Sequence, residues 1–221
     1  MINSIYAYRD GTYVITGDSK GTLSTWDLRI GKAISSTLNS EGRHSISCIH
    51  VPSQGSSSDP SREEESKYLA VNSYDNVIHV YNRGAMPPST TLRTTALLIG
   101  HVNKNWPIRS SFFLGKNYEG WPVPANDEQS SQNFENMIKN PSQKSVHNTL
   151  ILATGSADGF AYIFDVGDGH SSCIQRLHGH SDRVYAVDFH PCEPWLATAS
   201  ADCLVKLWSA KSQLFLRDFD N

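Results

Sequence analysis

The amino-acid sequence predicts an all-β protein made of four antiparallel sheets with four strands each. One observation is a segment from Leu177 to Trp208 whose pattern recurs three times upstream in weaker form. The other is that, within each copy, apolar and polar residues alternate with the period of two that is typical of strands, between turn-forming residues. A self-similar pattern of this kind indicates a repeat architecture.

The four copies can be aligned on an aromatic residue that closes the third strand of each unit. These residues are Trp26, Tyr81, Phe164 and Trp208, which lie 55, 83 and 44 residues apart. The last spacing falls within the roughly 40 to 45 residues of a four-stranded propeller blade, and the first two exceed it by about 13 and about 40. The sequence therefore predicts β-propeller blades, two of which carry insertions.

Two polar segments account for the excess length. Residues 53–66 contain six Ser among 14 residues and the run Glu63-Glu64-Glu65, and residues 115–148 contain 16 Asn, Gln, Pro or Ser among 34. Neither composition can supply a buried strand, and we expect the longer insertion to be disordered. Removing these 14 and 34 residues from 221 leaves 173, about 43 for each blade.

The repeat divides the chain into blade 1 (residues 1–39), blade 2 (40–99, with the insertion 53–66), blade 3 (100–177, with the insertion 115–148) and blade 4 (178–221). In blade 4 the predicted strands are 184–189, 195–200, 204–208 and 214–217. Both insertions join the first strand of a blade to its second. We therefore expect them at the same end of the molecule.

Gly-His pairs, turn aspartates and strand-closing aromatic residues recur at fixed places in these units. In this respect the chain resembles the WD-repeat (beta-transducin-like) family over nearly its whole length outside the insertions. The resemblance implies that each blade ideally holds a buried hydrogen-bonded tetrad of a histidine, a hydroxyl residue, an aspartate and a tryptophan. The matching residues in blade 4 are His180, Thr198 or Ser200, Asp202 and Trp208. In blade 3 they are His101, Thr154 or Ser156, and Asp158, with Phe164 in the place of tryptophan.

The first two blades depart further from this pattern. Blade 2 retains Asp75 and Tyr81, and His44 is expected to stand in for the missing Gly-His. Blade 1 has Trp26, but Lys20 occupies the position of the turn aspartate. We therefore expect the tetrad of blade 1 to be broken.

Two kinds of chemistry are disfavoured. His180, Ser200 and Asp202 are residue types of a catalytic triad, but a triad needs an exposed nucleophile beside an oxyanion hole, whereas the repeat buries this hydroxyl between strands. Five residues of zinc-binding types lie within 20 residues of one another: Cys173, His178, His180, His190 and Cys192. They contain no Cys-x-x-Cys pair. We expect a protein that is not an enzyme and that uses no metal or other cofactor.

The composition points to other proteins as partners. The 19 Lys and Arg nearly balance the 22 Asp and Glu, so neither nucleic acid nor an anionic membrane is favoured as a general partner. No apolar run approaches the roughly 20 residues of a membrane span. Four unpatterned cysteines and the absence of a glycosylation sequon indicate a reducing compartment, and we expect the cytoplasm or the nucleus.

The resemblance also bears on ring closure, because members of the family usually have seven blades. Four blades form an open arc of such a ring, with an apolar face exposed on blade 1 and another on blade 4. We expect this chain to be the C-terminal part of a longer propeller. The alternative is a half-propeller that pairs with itself or with another chain.

Two surfaces are candidates for partner binding. The segment Trp26-Asp27-Leu28-Arg29 resembles the box by which WD-repeat substrate receptors dock on the adaptor of cullin-4 ubiquitin ligases, in which the arginine, here Arg29, makes the contact. This chain departs from that box at Lys20. The alternative is that Trp26 and Asp27 end a strand and that Arg29 is a solvated side chain.

The second surface comprises Trp106, Lys20, Tyr74 and Arg183, which the repeat places at the face where this family commonly binds peptides; Trp, Tyr and Arg are enriched at binding hot spots. Alternatively, Trp106 folds down to cover the adjacent strand ends. The predicted function is a non-catalytic scaffold for protein–protein interaction. It is either a substrate receptor of a cullin-4 ubiquitin ligase or a general subunit of an RNA-processing, chromatin or trafficking complex.

Overall fold

A computed structural model of the chain describes residues 1–52, 66–84, 92–115, 149–166, 171–191, 195–209 and 212–215. These residues contain sixteen strands in four sheets. Blade 1 holds β1 (Ile2–Ala7), β2 (Tyr13–Asp18), β3 (Thr22–Asp27) and β4 (Lys32–Leu38). Blade 2 holds β5 (Ile46–His50), β6 (Tyr68–Ser73), β7 (Val77–Asn82) and β8 (Arg93–Ile99). Blade 3 holds β9 (Ser110–Gly115), β10 (Thr149–Thr154), β11 (Phe160–Asp165) and β12 (Ser172–His178). Blade 4 holds β13 (Val184–Phe189), β14 (Trp195–Ser200), β15 (Val205–Ser209) and β16 (Ser212–Phe215).

Within every sheet the strands pair in chain order, and every pair is antiparallel. This confirms the predicted all-β architecture of four antiparallel four-stranded sheets in an open arrangement. In blade 4 the last strand lies at 212–215, two residues before the predicted 214–217. The predicted disordered insertion, apart from Gly115, and residues 53–65 of the shorter insertion lie outside the described residues.

The antiparallel order gives the arc two ends. The connections between consecutive blades and the turns between second and third strands lie at one end, which we call the entry end. The connections between first and second strands, and those between third and fourth strands, lie at the other, which we call the insertion end. Aspartates shape some of the turns: the Oδ1 atom of Asp18 accepts hydrogen bonds from the backbone N–H groups of Lys20 and Thr22, both at 2.8 Å.

The hydrophobic core lies between the blades and not within them. One cluster joins Ile15 and Leu23 of blade 1 to Leu69 of blade 2. A second joins blade 2 to blade 3, and a third joins Ile163 of blade 3 to Trp208 of blade 4. Because the side chains of a strand alternate between the two faces of its sheet, a middle blade buries one set against each neighbour.

The first strands of consecutive blades run side by side, β1 with β5, β5 with β9 and β9 with β13. Two glycines allow this close approach. A Cβ atom on Gly17 would lie 2.6 Å from Ile46 Cγ2, and one on Gly155 would lie 2.2 Å from the carbonyl oxygen of Val184. Each glycine lies three residues before the turn position of its repeat, which is Lys20 in blade 1 and Asp158 in blade 3. In blade 4 the residue that matches these glycines is Ala199, three residues before Asp202.

The outer face of each terminal blade is open. On blade 4, Trp195 and Val205 are 39% and 47% exposed, although the matching residues of blade 1, Tyr13 and Leu23, are buried beneath blade 2. A shallow cavity of about 530 Å³ opens on this face, lined by Asp188, Phe189, His190, Pro191, Trp195, Ala197 and Leu207. The arc therefore exposes apolar surface that the same repeat buries elsewhere.

Candidate functional site

The structure brings four of the predicted tetrad residues of blade 4 into one hydrogen-bonded chain. Trp208 Nε1 donates to Thr198 Oγ1 at 2.9 Å, and His180 Nε2 lies 2.7 Å from the same oxygen. His180 Nδ1 lies 2.8 Å from Asp202 Oδ2. Two strands, a turn and a connection are thereby joined, since His180 precedes β13, Thr198 lies on β14, Asp202 follows β14 and Trp208 lies on β15.

Of the two hydroxyl residues that the sequence left open, Thr198 belongs to this chain and Ser200 does not. Ser200 Oγ donates to the carbonyl oxygen of Asp182 at 2.9 Å and accepts from the N–H of Asp202 at 3.2 Å. Both hydroxyls are therefore committed to structural bonds. Thr198 lies within hydrogen-bond distance of His180 but is 1% exposed, whereas a catalytic nucleophile must be accessible to its substrate.

The electrostatics of Asp202 are consistent with a structural role for its carboxylate. Burial alone would raise the pKa of its carboxyl group, but the hydrogen bonds from His180, from the N–H of Leu204 and from the N–H of Ser181 outweigh burial and hold the pKa at about 2. The carboxylate thus stays ionised well below neutral pH. It can hold the imidazole in one orientation.

The tetrad expected in blade 3 does not form. His101 is buried, but within the described residues neither of its ring nitrogens has a hydrogen-bond partner. Asp158 Oδ2 instead accepts from the hydroxyl of Tyr162 at 2.7 Å. Thr154 and Ser156 bond to neighbouring backbone and to Asn72. The physical reason is that Phe164 supplies no donor to organise the chain, while Tyr162 supplies one within reach of the aspartate.

Blade 2 contains a different series of hydrogen-bonded side chains, which the sequence did not predict. Tyr81 Oη donates to Asn39 Oδ1 at 2.9 Å, Asn39 Nδ2 donates to Ser73 Oγ at 3.2 Å, and Ser73 Oγ donates to Asp75 Oδ1. Asn39 thus stands where histidine was expected. The prediction that His44 would take this place is wrong, because His44 is exposed and Asn39 lies directly after β4. The feature of the sequence that could have identified Asn39 is its place as an amide residue immediately after the fourth strand of blade 1.

Blade 1 keeps half of the tetrad. Trp26 Nε1 donates to Thr16 Oγ1 at 2.9 Å, and Thr16 is buried. Lys20 lies in the turn between β2 and β3 with an exposed side chain. It contributes nothing to this bond, and the aspartate that shapes the turn is Asp18.

The Trp-Asp-x-Arg segment lies at the insertion end of blade 1. Arg29 Nε and Nη2 bond the two carboxylate oxygens of Asp27 at 3.0 and 2.6 Å, and Nη2 also donates to the hydroxyl of Tyr13 at 2.8 Å. The hydrogen bond from Arg29 lowers the pKa of Asp27. The Arg29 side chain is 60% exposed, and Leu28 and the neighbouring Ile30 are also exposed. The segment therefore presents a fixed guanidinium between two apolar side chains.

A second surface lies at the entry end, over the boundary between blades 3 and 4. The guanidinium carbon of Arg183 lies 4.4 Å from the centroid of the Trp106 ring, and Trp106 meets Tyr185 edge-on at 5.7 Å. Trp106 is 37% exposed, so it does not fold down completely over the strand ends. The sequence did not predict Tyr185 as part of this surface, because Tyr185 lies inside strand β13.

The other two residues expected on this surface lie apart from it. Lys20 and Tyr74 occupy turns at the same end, in blades 1 and 2. Among the contacts of the described residues, neither makes a hydrogen bond, ion pair or ring contact with Trp106 or Arg183. The entry end therefore holds one compact cluster and not the four-residue surface that was predicted.

Two further findings concern the described part of the chain. No helix there is long and apolar enough to cross a membrane. No group of three or more His, Cys, Asp or Glu side chains in those ranges is placed to hold a metal ion. Cys192, one of the five zinc-type residues, lies outside the described residues.

Comparison with known proteins agrees with this architecture. Residues 171–209 match the family model "WD domain, G-beta repeat". WD repeat-containing protein 1 of Rattus norvegicus is 23% identical over 209 residues, which cover 90% of this chain and 32% of that protein. The probable coatomer subunit beta' of Schizosaccharomyces pombe is 41% identical over 46 residues, 21% of this chain and 6% of that protein.

Among solved structures, the β-propeller domain of Myceliophteria thermophila Cps50 (Swd1) matches with a TM-score of 0.61 and 18% identity, over 95% of this chain and 54% of that chain. The chain thus spans about half of that propeller domain and at most about a third of these two relatives. The fold and the repeat define a β-propeller arc. One repeat matches the WD-repeat family model, and over most of its length the chain is similar to WD repeat-containing proteins.

Proposed function

We propose that this chain is a non-catalytic scaffold that binds other proteins in the cytoplasm or nucleus. The observation that carries the proposal is the distribution of its side chains. The chemistry-bearing residues of the best-formed repeat, His180, Thr198 and Asp202, bond to one another inside the blade. Exposed Trp106 and partly exposed Arg183 lie near the entry end of the arc and exposed Arg29 at the insertion end, where connections meet solvent. Affinity purification of the protein from cells with mass spectrometry tests this proposal, and recovery of no specific partner would contradict it.

A finer proposal is that the protein is a substrate receptor of a cullin-4 ubiquitin ligase. Its support is the Arg29 guanidinium, which Asp27 and Tyr13 hold in one orientation while the side chain stays exposed. A fixed, permanently charged group loses little conformational entropy when it binds. The hydrogen bonds to Asp27 and Tyr13 use Nε and Nη2, and Nη1 takes part in none of them.

Co-purification of the cullin-4 adaptor with three proteins tests this role. We expect recovery with the wild type and with Arg176→Ala, which removes another exposed arginine stacked on an aromatic ring, but not with Arg29→Ala. Equal recovery with Arg29→Ala would remove the receptor role. The protein would then be a general subunit of an RNA-processing, chromatin or trafficking assembly.

We also propose that other blades cover the two open faces, supplied by further sequence of the same protein or by a second chain. The support is internal to the repeat: Tyr13 and Leu23 are buried by the next blade, whereas Trp195 and Val205 at the same positions of blade 4 are exposed. Light scattering on the expressed 221 residues tests this. A dimer indicates a second chain and aggregation indicates further blades, whereas a clean monomer with a cooperative thermal transition would contradict both.

A further inference from the structure

The side chains of Trp106, Arg183 and Tyr185, which we call the seam cluster, form a binding surface whose ligand class can be inferred from its chemistry. The guanidinium carbon of Arg183 lies 4.4 Å from the Trp106 centroid and 5.9 Å from the Tyr185 centroid, over two rings that are inclined by 71° to each other. The two aromatic rings attract the positive charge of the guanidinium. Its N–H donors lie in the plane and point along the edges of the group.

The backbone holds the seam cluster in place. The N–H of Trp106 donates to the carbonyl of Asn103 at 3.1 Å, and the N–H of Ile108 donates to the carbonyl of Trp106 at 2.8 Å. The N–H of Arg109 then donates to the carbonyl of Tyr185 at 2.9 Å, which ties the connection to blade 4. A surface that is ordered before binding loses less entropy on association than a flexible one.

The charge around the seam cluster favours an anion. The two connections that form it, residues 100–109 and 179–183, carry the cations Lys104, Arg109 and Arg183 and one exposed carboxylate, Asp182. Asp182 Oδ1 lies 3.5 Å from Arg183 Nε, a buried nitrogen without a hydrogen-bond partner among the described residues, and the Arg183 side chain as a whole is 33% exposed, so a ligand would meet its Nη1 and Nη2 end. The positive charge of the cluster is therefore only partly compensated.

The other ionisable groups of these connections do not change this balance. Burial lowers the pKa of His101 to about 4, against the opposing effect of Asp75 and Asp158, so its imidazole is neutral at physiological pH. His180 is paired with Asp202 inside blade 4. Two exposed cations, Lys104 and Arg109, lie on the same connection as Trp106.

We propose that the seam cluster binds an acidic peptide segment of a partner, with an Asp or Glu carboxylate bonded by the in-plane donors of Arg183 and an apolar side chain packed on Trp106. This inference rests on the proposed scaffold function, of which it names one ligand class. Arginine and carboxylate match in a two-bond geometry that an ammonium group cannot reproduce. The exposed edge of Trp106 supplies apolar contact area beside that charge.

Selection of peptides tests the proposal without knowledge of the natural partner. A phage library of random dodecapeptides is selected against the whole chain, against Arg183→Gln and against Arg176→Ala, the control in which a stacked arginine elsewhere in blade 3 is removed. We expect Asp and Glu enrichment with the wild type and with Arg176→Ala, and none with Arg183→Gln. A selected peptide should bind Arg183→Lys at least about tenfold more weakly, since one lost charge-assisted hydrogen bond is worth roughly 1.5–3 kcal/mol.

Circular dichroism of each variant confirms that it is folded, and Trp106→Phe, which keeps an aromatic ring, gives a second reading of the site by weakening the same peptide. Selection without acidic enrichment, equal enrichment with Arg183→Gln, or no selected peptide would overturn the proposal. The scaffold function itself is tested separately by recovery of partners with the protein purified from cells. If the seam cluster binds no acidic peptide but the protein is still a scaffold, Arg183→Gln should recover the same partner proteins as the wild type.

Discussion

Trp26 of blade 1 and Trp208 of blade 4 occupy the same position of the repeat and make the same bond, but they lie in different surroundings. Each donates its indole N–H at 2.9 Å to a threonine ten residues earlier, Thr16 or Thr198. Trp208 is 7% exposed and packs with Ile163 of blade 3, whereas Trp26 is 36% exposed. The bond is thus a property of one blade, and the burial is supplied by the blade before it.

The comparison also explains why the full tetrad forms in blade 4. His180 lies in the connection that leaves blade 3, so its ring reaches Thr198 from outside the four strands of blade 4. In blade 1 no connection from a preceding blade lies among the described residues. A blade and the connection that enters it therefore act together as one structural unit.

The largest effect that separates the two positions is expected from alanine substitution. Trp208→Ala should lower the free energy of unfolding by about 3–5 kcal/mol, because it opens a cavity between blades 3 and 4. Trp26→Ala should cost roughly 1 kcal/mol, close to the value of the lost hydrogen bond, because its ring is partly in water. Urea unfolding followed by circular dichroism gives both numbers, and equal losses would refute the assignment of burial to the preceding blade.

A smaller effect is expected where consecutive blades approach most closely. Gly155→Ala places a Cβ atom 2.2 Å from the carbonyl oxygen of Val184, which forces blades 3 and 4 apart and should cost about 1–3 kcal/mol. Ala199→Gly, at the matching position of blade 4, should cost no more than roughly 1 kcal/mol, through backbone entropy. Thermal unfolding midpoints of the two variants provide the measurement. A neutral Gly155→Ala would show that the first strands can separate without loss of packing.

The effect that is smallest per pH unit concerns His101 of blade 3, whose ring nitrogens have no partner among the described residues. Burial lowers the pKa of His101 to about 4, from an unfolded value near 6.5. Between these values the unfolded chain binds the additional proton, so stability falls as the pH drops from about 6.5 to about 4, by at most about 1.4 kcal/mol per pH unit.

His101→Phe should remove that part of the pH dependence, and His178→Phe, at an exposed histidine, should not. Urea titrations of each protein at four pH values between 7 and 4 measure how its free energy of unfolding depends on pH. An unchanged slope in His101→Phe would mean that another group is responsible. His101 differs in this respect from His180 of blade 4, whose two ring nitrogens are hydrogen-bonded to Asp202 and Thr198.

The fold was largely predictable because it depends on spacing and alternation, which survive when individual residues change. Phe164 and Tyr81 still mark the third strands although neither is tryptophan. The hydrogen-bonded chains were less predictable, since they depend on angstrom-scale geometry. Asn39 replaces histidine because a short amide directly after β4 reaches both Tyr81 and Ser73, and the spacing of residues does not show that reach.

The partner surfaces were predictable as locations but not as contacts. The antiparallel order places Trp106, Arg183, Lys20 and Tyr74 at one end, but the arc spreads them over four blades. Trp106 and Arg183 meet because they belong to consecutive connections. Tyr185 joins them from within β13, where its place in the alternating pattern gave no indication of a ring contact across the boundary.

The core clusters between the blades have a consequence for how such a chain can grow or shrink in evolution. Each cluster joins the following face of one repeat to the preceding face of the next. A duplicated repeat carries both faces with it, so a copy inserted in frame meets compatible neighbours on either side. The number of blades can therefore change by whole units, while each boundary remains free to acquire its own exposed residues, as the boundary under Trp106 has done.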